Sequence, residues 1–498
     1  MVFLRRLPAN RYPAVRARLR PRMASRTRQR GVFAIMSAVL MTLILAFCGL
    51  ALGLGQIYNR KVELDGMARA VALAAARELN GTPQGITAAV TRATATASNF
   101  KYNYRTSFTL SDAAISFSSS PLKTANWMPA VSAAASPANI FYVAVDTSKL
   151  DTTVGTVVPV FMQFVSKSLA TVQLSDRAVA GRTGVKVTPL AICALDKDHP
   201  GIRRGAELVE YGFRRGVSYN LMRLNPGGTT AENFVIDPTV SPGEMASSYH
   251  TSIDMVGPFV CTGTMWMPRV TGGNIQVSRN FPIASLYKQL NARFGDYTDG
   301  LCSPNGAPPD LNIKPFKFGT GNWMSPAQTQ PNAAMTSGQA LADGKLRTVA
   351  DPITLPTGTT TKLWGPLWAY AKAAKFSSYV VGQPEPPTGY ATFSTTDLQT
   401  MYQTGLSTSG YPTALQGGTP YRSSVTSPSH KALAEENRRV LNIPLLSCPV
   451  PAGSDVNAKV VAVGKFFMTV PATSDSVSAE FAGVASDQSY AGVVELFP

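Results

Sequence analysis

The 498 residues contain only three histidines, His199, His250 and His430. A hydrolytic triad needs a nucleophile held beside a base. Each histidine stands in a turn-like setting (Asp198-His199-Pro200, Tyr249-His250, Ser429-His430), and none adjoins a recognisable nucleophile motif. The chain has no G-x-S-x-G elbow, no H-E-x-x-H pair and no G-x-x-x-x-G-K-[ST] loop, so the local signatures of a serine hydrolase, a zinc protease and a P-loop nucleotide site are missing.

Two groupings imitate metal sites. An apolar run ends in Asp146-Thr147-Ser148, like the start of a von Willebrand A metal site, but that pattern wants a second hydroxyl where Leu150 stands. Asp196 and Asp198 resemble a piece of a calcium loop without its glycine and distal glutamate. A chance match and an ordinary turn are the expectations. No catalytic residue, metal ligand, cofactor or small-molecule substrate is expected.

The cysteines carry the remaining chemistry. Cys48 lies in an uncharged run and reads as an apolar filler. Cys193, Cys261, Cys302 and Cys448 form no C-x-x-C spacing, and with so few histidines a structural zinc site is not expected. Outside the cytoplasm an even number of cysteines favours disulfides. Three connectivities are open. The nested one, Cys261 with Cys302 and Cys193 with Cys448, is the working expectation, each bridge contributing about 3–5 kcal/mol in the chain-entropy picture.

The charge distribution places these residues. The 53.0 kDa chain is 45% hydrophobic and only 15% charged, against roughly 25% charged in ordinary soluble domains. Of its net charge of +17, ten units come from Arg5, Arg6, Arg11, Arg16, Arg18, Arg20, Arg22, Arg26, Arg28 and Arg30, with no acidic residue before position 32. The other 467 residues carry 36 basic and 29 acidic side chains. The bulk is no polycation, and nucleic acid is not an expected partner.

Residues 32–58, VFAIMSAVLMTLILAFCGLALGLGQIY, carry no charge. As a helix these 27 residues reach about 40 Å, beyond the roughly 30 Å hydrocarbon core of a bilayer. The arginines before them make a topology signal that keeps the N-terminus in the cytoplasm. The run is too long for a typical cleaved signal peptide, and Leu54-Gly55-Gln56 offers no A-x-A site. Phe47 before Cys48 argues against a lipoprotein, and the span argues against an organelle transit peptide.

The expected organisation is α+β: a cytoplasmic leader over 1–31, a transmembrane helix over 32–58, a helical stalk over 59–100 and a β-rich exported region over 101–498. In the stalk, Leu64, Met67, Ala68, Val71, Ala75 and Leu79 form one apolar stripe, with Asn80-Gly81 as a stop. Strand signals occur at 102–110, 114–118, 140–145, 157–164, 171–174, 185–193, 217–224, 274–277, 440–446 and 456–470. Residues 319–360 and 403–430 read as loop-rich insertions.

The arrangement resembles the TadG-like proteins of the Flp (tight adherence, Tad) pilus-assembly system. Arg30-Gly31 precedes the span, and Gly55, Tyr58, Arg60 and the alanine-rich run 72–76 fit that family's post-span helix. Its acidic residue before the alanines is replaced here by Arg69 or Val71. Further elements follow in order: PVFMQF at 159–164, Thr171-Val172, Ala178-Val179-Ala180, PLAIC at 189–193, ENFVID at 232–237, LNARFGDY at 290–297, Arg438-Arg439-Val440 through Cys448, and KFFM at 465–468. The resemblance favours pairing of Cys193 with Cys448. It implies a single-pass inner-membrane protein, not an enzyme, acting on pilins or other assembly proteins through its periplasmic region.

A cell-surface adhesin or minor pilin-like component is the alternative. A prepilin is cut after a glycine and has glutamate at the fifth mature position. The fifth residue after Gly31 is Met36, which favours a permanent signal anchor. An envelope-anchored hydrolase would instead need a cleft gathering His250 or His430 with Ser and Asp.

Overall fold

The computed structural model describes residues 29–159, 170–226, 230–240, 242–243, 252–279, 282–316, 370–394, 397 and 422–498. The leader arginines up to Arg28 lie outside the described residues, as do the Arg30 side chain, His250, the insertion 319–360 and residues 403–421 of the second insertion. The chain combines one long apolar N-terminal helix with a β-rich remainder, an α+β fold, in two compact units.

The first unit comprises Met1–Val62 and Gly155–Leu174. It holds the first part of helix α1 (Gln29–Ala76) and an antiparallel ribbon in which Thr156 pairs with Gln173 and Val157 with Val172. Leucine, alanine and methionine favour helix in the charge-free stretch.

The second unit comprises Glu63–Val154 and Ser175–Pro498. It begins with the last turns of α1. Helix α2 (Pro83–Ser98) follows, started by Pro83 and by the Thr82 side chain, which accepts from the Gly85 amide at 3.1 Å. The segment 59–100 expected as a stalk is thus helical over 59–76 and 83–98, and from Glu63 onward it belongs to the same unit as the strands. Leu64, Met67, Ala68, Val71, Ala75 and Leu79 are all fully buried.

A small hairpin, β1 (Lys101–Tyr102) and β2 (Thr106–Ser107), comes next. Strands β3 (Ile115–Ser118), β4 (Tyr142–Asp146), β5 (Arg177–Arg182) and the C-terminal Val494–Phe497 form an antiparallel sheet, ordered Val494–Phe497, β5, β4, β3. Arg182 on β5 donates to the Leu79 carbonyl at 2.5 Å and ties the end of α1 to this sheet.

The second sheet is larger. Its strands are β6 (Leu190–Cys193), β7 (Ser218–Asn220), β8 (Asn233–Ile236), β9 (Asn274–Ser278), β10 (Val440–Leu446), β11 (Asp455–Met468) and β12 (Ser478–Val484). β11 pairs with β9 through residues 455–459 and with β10 through 460–467. β9 pairs with β8, β8 with β6, and β6 runs parallel to β10. The pairings therefore return to β11 and close a ring of five strands. Closure leaves those strands no open edge. At the bend of β11, a side chain on Gly464 would run into the Phe466 ring.

Both faces of these strands are covered. Leu190 and Ile192 enter one apolar cluster with Phe466 and Phe481, while Ala191 and Cys193 enter another with Phe234 and Ile275. This explains why β6 reads as a continuous apolar run rather than an alternating one. A separate three-stranded sheet is built from Ile202–Arg204, Glu207–Glu210 and Phe213–Arg214.

At the end of the loop-rich segment 403–430 a short helix, Pro428–Leu433, begins with Pro428 at its first position, where a proline lacks nothing that the helix would use.

Candidate functional site

Among the described residues, α1 carries a long run of exposed large apolar side chains. Phe33 is 76% exposed and Phe47 67%, and Ile35, Leu40, Ile44, Leu45, Leu52 and Leu54 are all more than half exposed. By length and composition this is the one helix among the described residues that is long and apolar enough to cross a membrane. Thr42 donates its hydroxyl back to the Ala38 carbonyl at 2.8 Å, so it satisfies its polar group within the helix and needs no water to do so.

The four cysteines of the second unit form two bonded pairs, Cys193 with Cys448 and Cys261 with Cys302. The parallel pairing of β6 and β10 sets Leu446 opposite Cys193 and delivers the first pair. The second joins helix α3 (Ile253–Thr262) to the segment beyond Phe294. This helix ends on Gly263 in the left-handed conformation, φ 76°. Each pair has a carboxylate near its sulfurs, Glu232 or Asp299. The sulfurs are bonded to one another, and Glu232 pairs with Arg279 at 3.0 Å, so neither grouping presents thiolates to a metal. Cys48 lies exposed on α1.

Three arginines from the sequence motifs are built inward. Arg439 is fully buried and donates to the carbonyls of Met468, Thr469, Asn312 and Lys314. Its own amide donates to Asp310 at 2.9 Å. Burial pushes its pKa down to about 9, opposed by the Asp310 and Glu480 carboxylates, and the side chain stays a cation at neutral pH. Arg438 donates to the carbonyls of Cys261, Thr262 and Pro308. Arg293, from LNARFGDY, is buried and donates to the Val260 carbonyl at 2.9 Å. Together they tie the α3 end and the segments around 261 and 310 to the sheet.

A second polar group was not anticipated from the sequence. Arg214 pairs with Glu207 inside the protein. Arg215 meets Glu210 at 2.6 Å and Glu385 at 2.8 Å. Burial works against the Arg215 charge, but Glu210 and Glu385 outweigh it and raise its pKa. Burial alone would raise Glu385; the Arg215 bonds and charge overturn that and hold its carboxyl below the usual range. Burial lowers the Lys465 pKa nearby. On β12, buried Glu480 accepts from the Tyr370 and Ala371 amides at 3.0 and 2.6 Å. These contacts fasten residues 370–394 onto the strands. The only sequence signal was an unusual density of charge, ELVEYGFRR over 207–215, in a sparsely charged chain.

The two described histidines, His199 and His430, have separate partners. His199 Nδ1 lies 2.9 Å from the Asp196 carboxylate in an exposed turn, and His430 packs edge-on against Tyr297 at 5.2 Å. Among the described residues neither meets a serine, threonine or cysteine. Asp146 caps the turn after β4 by accepting from the Ser148 amide at 2.9 Å, a backbone task that needs no metal. The arrangement thus supplies an apolar helical surface and a cross-braced β unit. Searches against protein-family models, curated proteins and solved structures find no match to the chain.

Proposed function

We propose that the protein is a single-pass inner-membrane accessory of Flp/Tad-type pilus assembly. α1 crosses the bilayer with the arginine leader in the cytoplasm. The disulfide-braced β unit lies in the periplasm and acts without catalysis on pilins or other assembly proteins. The observation that carries the anchoring is the exposed, uncharged stretch of α1 beside ten arginines. The pilus assignment rests on the ordered sequence elements, several of which perform visible structural work: Arg438 and Arg439 grip carbonyls, and PLAIC supplies β6 and Cys193.

The decisive experiment is a deletion strain. Loss of assembled pili and of surface adherence, restored by the full-length gene, is the expected result; normal piliation overturns the reading. Protease treatment separates the adhesin alternative. An anchored periplasmic protein is degraded only after the outer membrane is opened, whereas a displayed adhesin is degraded on intact cells.

A further inference from the structure

The antiparallel sheet of β3, β4, β5 and Val494–Phe497 has two edges, and they differ. On the β3 edge, Phe117 exchanges backbone hydrogen bonds with Met128 at 2.8 and 2.9 Å, so that edge is occupied. The other edge is the strand Val494–Phe497. Beside it the Thr183 amide donates to the Val493 carbonyl at 3.1 Å, which makes 183 and 493 a hydrogen-bonded pair. Alternation then turns the backbone groups of Glu495 and Phe497 toward β5 and those of Val494 and Leu496 outward. Among the described residues no strand pairs with that outer side. Val494–Phe497 carries one charge, Glu495, and no proline, so the devices that blunt an open edge are sparse.

Successive side chains of a strand leave on opposite faces, and the two faces here open onto different grooves. Val493 and Glu495 line one of about 490 Å³, together with Lys186, Met265 and Trp266. Val494 lines the other, of about 610 Å³, with Arg77, Glu78, Arg92 and Thr96. The first groove is apolar. Trp266 is 69% exposed and Val493 57%. The Trp266 amide donates to the Pro238 carbonyl at 2.7 Å and its ring meets Phe259 edge-on at 5.3 Å, so the indole is held in place while its surface stays open. Lys186 and Glu495 offset one another in charge. The second groove is cationic: Glu78 meets Arg92 at 3.3 Å, and Arg77 has no ion pair among the described residues.

We propose that Val494–Phe497 is a strand-addition site for an extended segment of a partner protein in which apolar and acidic residues alternate. Main-chain bonds to Val494 and Leu496 attach the segment, its apolar side chains face Trp266 and Val493, and its carboxylates face Arg77 and Arg92. The site does not depend on the pilus reading, because piliation is not its readout. The test follows, by fluorescence anisotropy, the binding of a labelled peptide of alternating valine and glutamate to detergent-solubilised full-length protein. Saturable binding is expected, weakened about tenfold by Val494→Pro and by Leu496→Pro, as for a lost main-chain hydrogen bond. Each proline removes an outward amide donor and spares the pairing with β5. Arg77→Glu weakens the glutamate peptide and favours one alternating valine with lysine. No binding to the wild type overturns the proposal, as does binding that both proline variants retain or that does not distinguish glutamate from lysine. If sedimentation shows the full-length protein associating with itself and Val494→Pro dissolves the association, a second copy is the occupant and the partner segment is wrong. Should the proline variants misfold, the glutamate peptide N-methylated throughout, which has no main-chain donor, takes their place: loss of binding supports the site and unchanged binding overturns it.

Discussion

Helix α1 sets two kinds of helix side by side in one continuous element. Over residues 32–58 most apolar side chains stay exposed, with Leu50 and Ile57 half-buried. From Glu63 to Ala76 the buried residues are Leu64, Met67, Ala68, Val71, Ala72, Ala75 and Ala76, one face at three- and four-residue spacing. Asp65 and Arg69 occupy the outer face as an i,i+4 pair at 2.5 Å. A helix that is apolar all round must be covered on every side, by protein or by a membrane, whereas a one-sided helix requires only one packing partner. The difference lies in the angular distribution of apolar residues, not in their number.

That comparison is broken most sharply by charge. Leu40→Arg combined with Leu45→Arg adds about 5–7 kcal/mol to membrane insertion on the translocon scale. The protein is expected to leave the alkali-resistant membrane fraction while the β unit keeps its thermal transition. Persistence in that fraction would show that residues 32–58 are not the anchor.

The reverse outcome is expected in the packed unit. Cys193→Ser opens a bridge between residues 255 apart, about 5 kcal/mol in the chain-entropy picture; Cys261→Ser, across 41 residues, costs about 4 kcal/mol. Denaturant unfolding should rank them in that order with membrane extraction unchanged. Met67→Ala removes a fully buried side chain from the packed part of α1, a loss of about 2–5 kcal/mol. If it leaves the unfolding midpoint of the β unit unmoved, that part of α1 is not one cooperative piece with the strands.

Smaller effects sharpen the picture of the interior. Arg439→Met leaves several buried carbonyls without their donor, with an expected loss of about 3 kcal/mol. The least is expected from pH. Glu385 titrates below its ordinary range in the folded protein, so its contribution is complete above the unfolded glutamate pKa, about 4.3, and is lost as pH falls through the lower folded value. The wild type should exceed Glu385→Gln in stability at neutral pH, with the gap closing in acid. A gap that persists below the folded pKa would show that Glu385 acts by packing.

Much of this was legible locally. The uncharged run, the amphipathic stretch after it and the strand signals at 440–446 and 456–470, against observed strands at Val440–Leu446 and Asp455–Met468, follow from local pattern and composition within about a dozen residues. β12 and the sheet over 202–214 were missed, because Glu207, Glu210, Arg214 and Glu480 interrupt the apolar pattern. Their buried carboxylates and guanidiniums are satisfied by partners that no local window contains: Arg215 meets Glu385 across 170 positions and Glu480 meets Tyr370 across 110.

The sequence by itself determined where the uncharged apolar stretch runs, where a helix turns one face to a partner, and that four cysteines stand in the β-rich part. Only the tertiary structure decided that β11 closes a ring with β9 and β10, and that Arg438 and Arg439 turn inward onto carbonyls. The physical reason is range. Side-chain periodicity is written in neighbours, whereas ring closure and charge pairing join residues tens to hundreds of positions apart, and they exist only once the chain has folded.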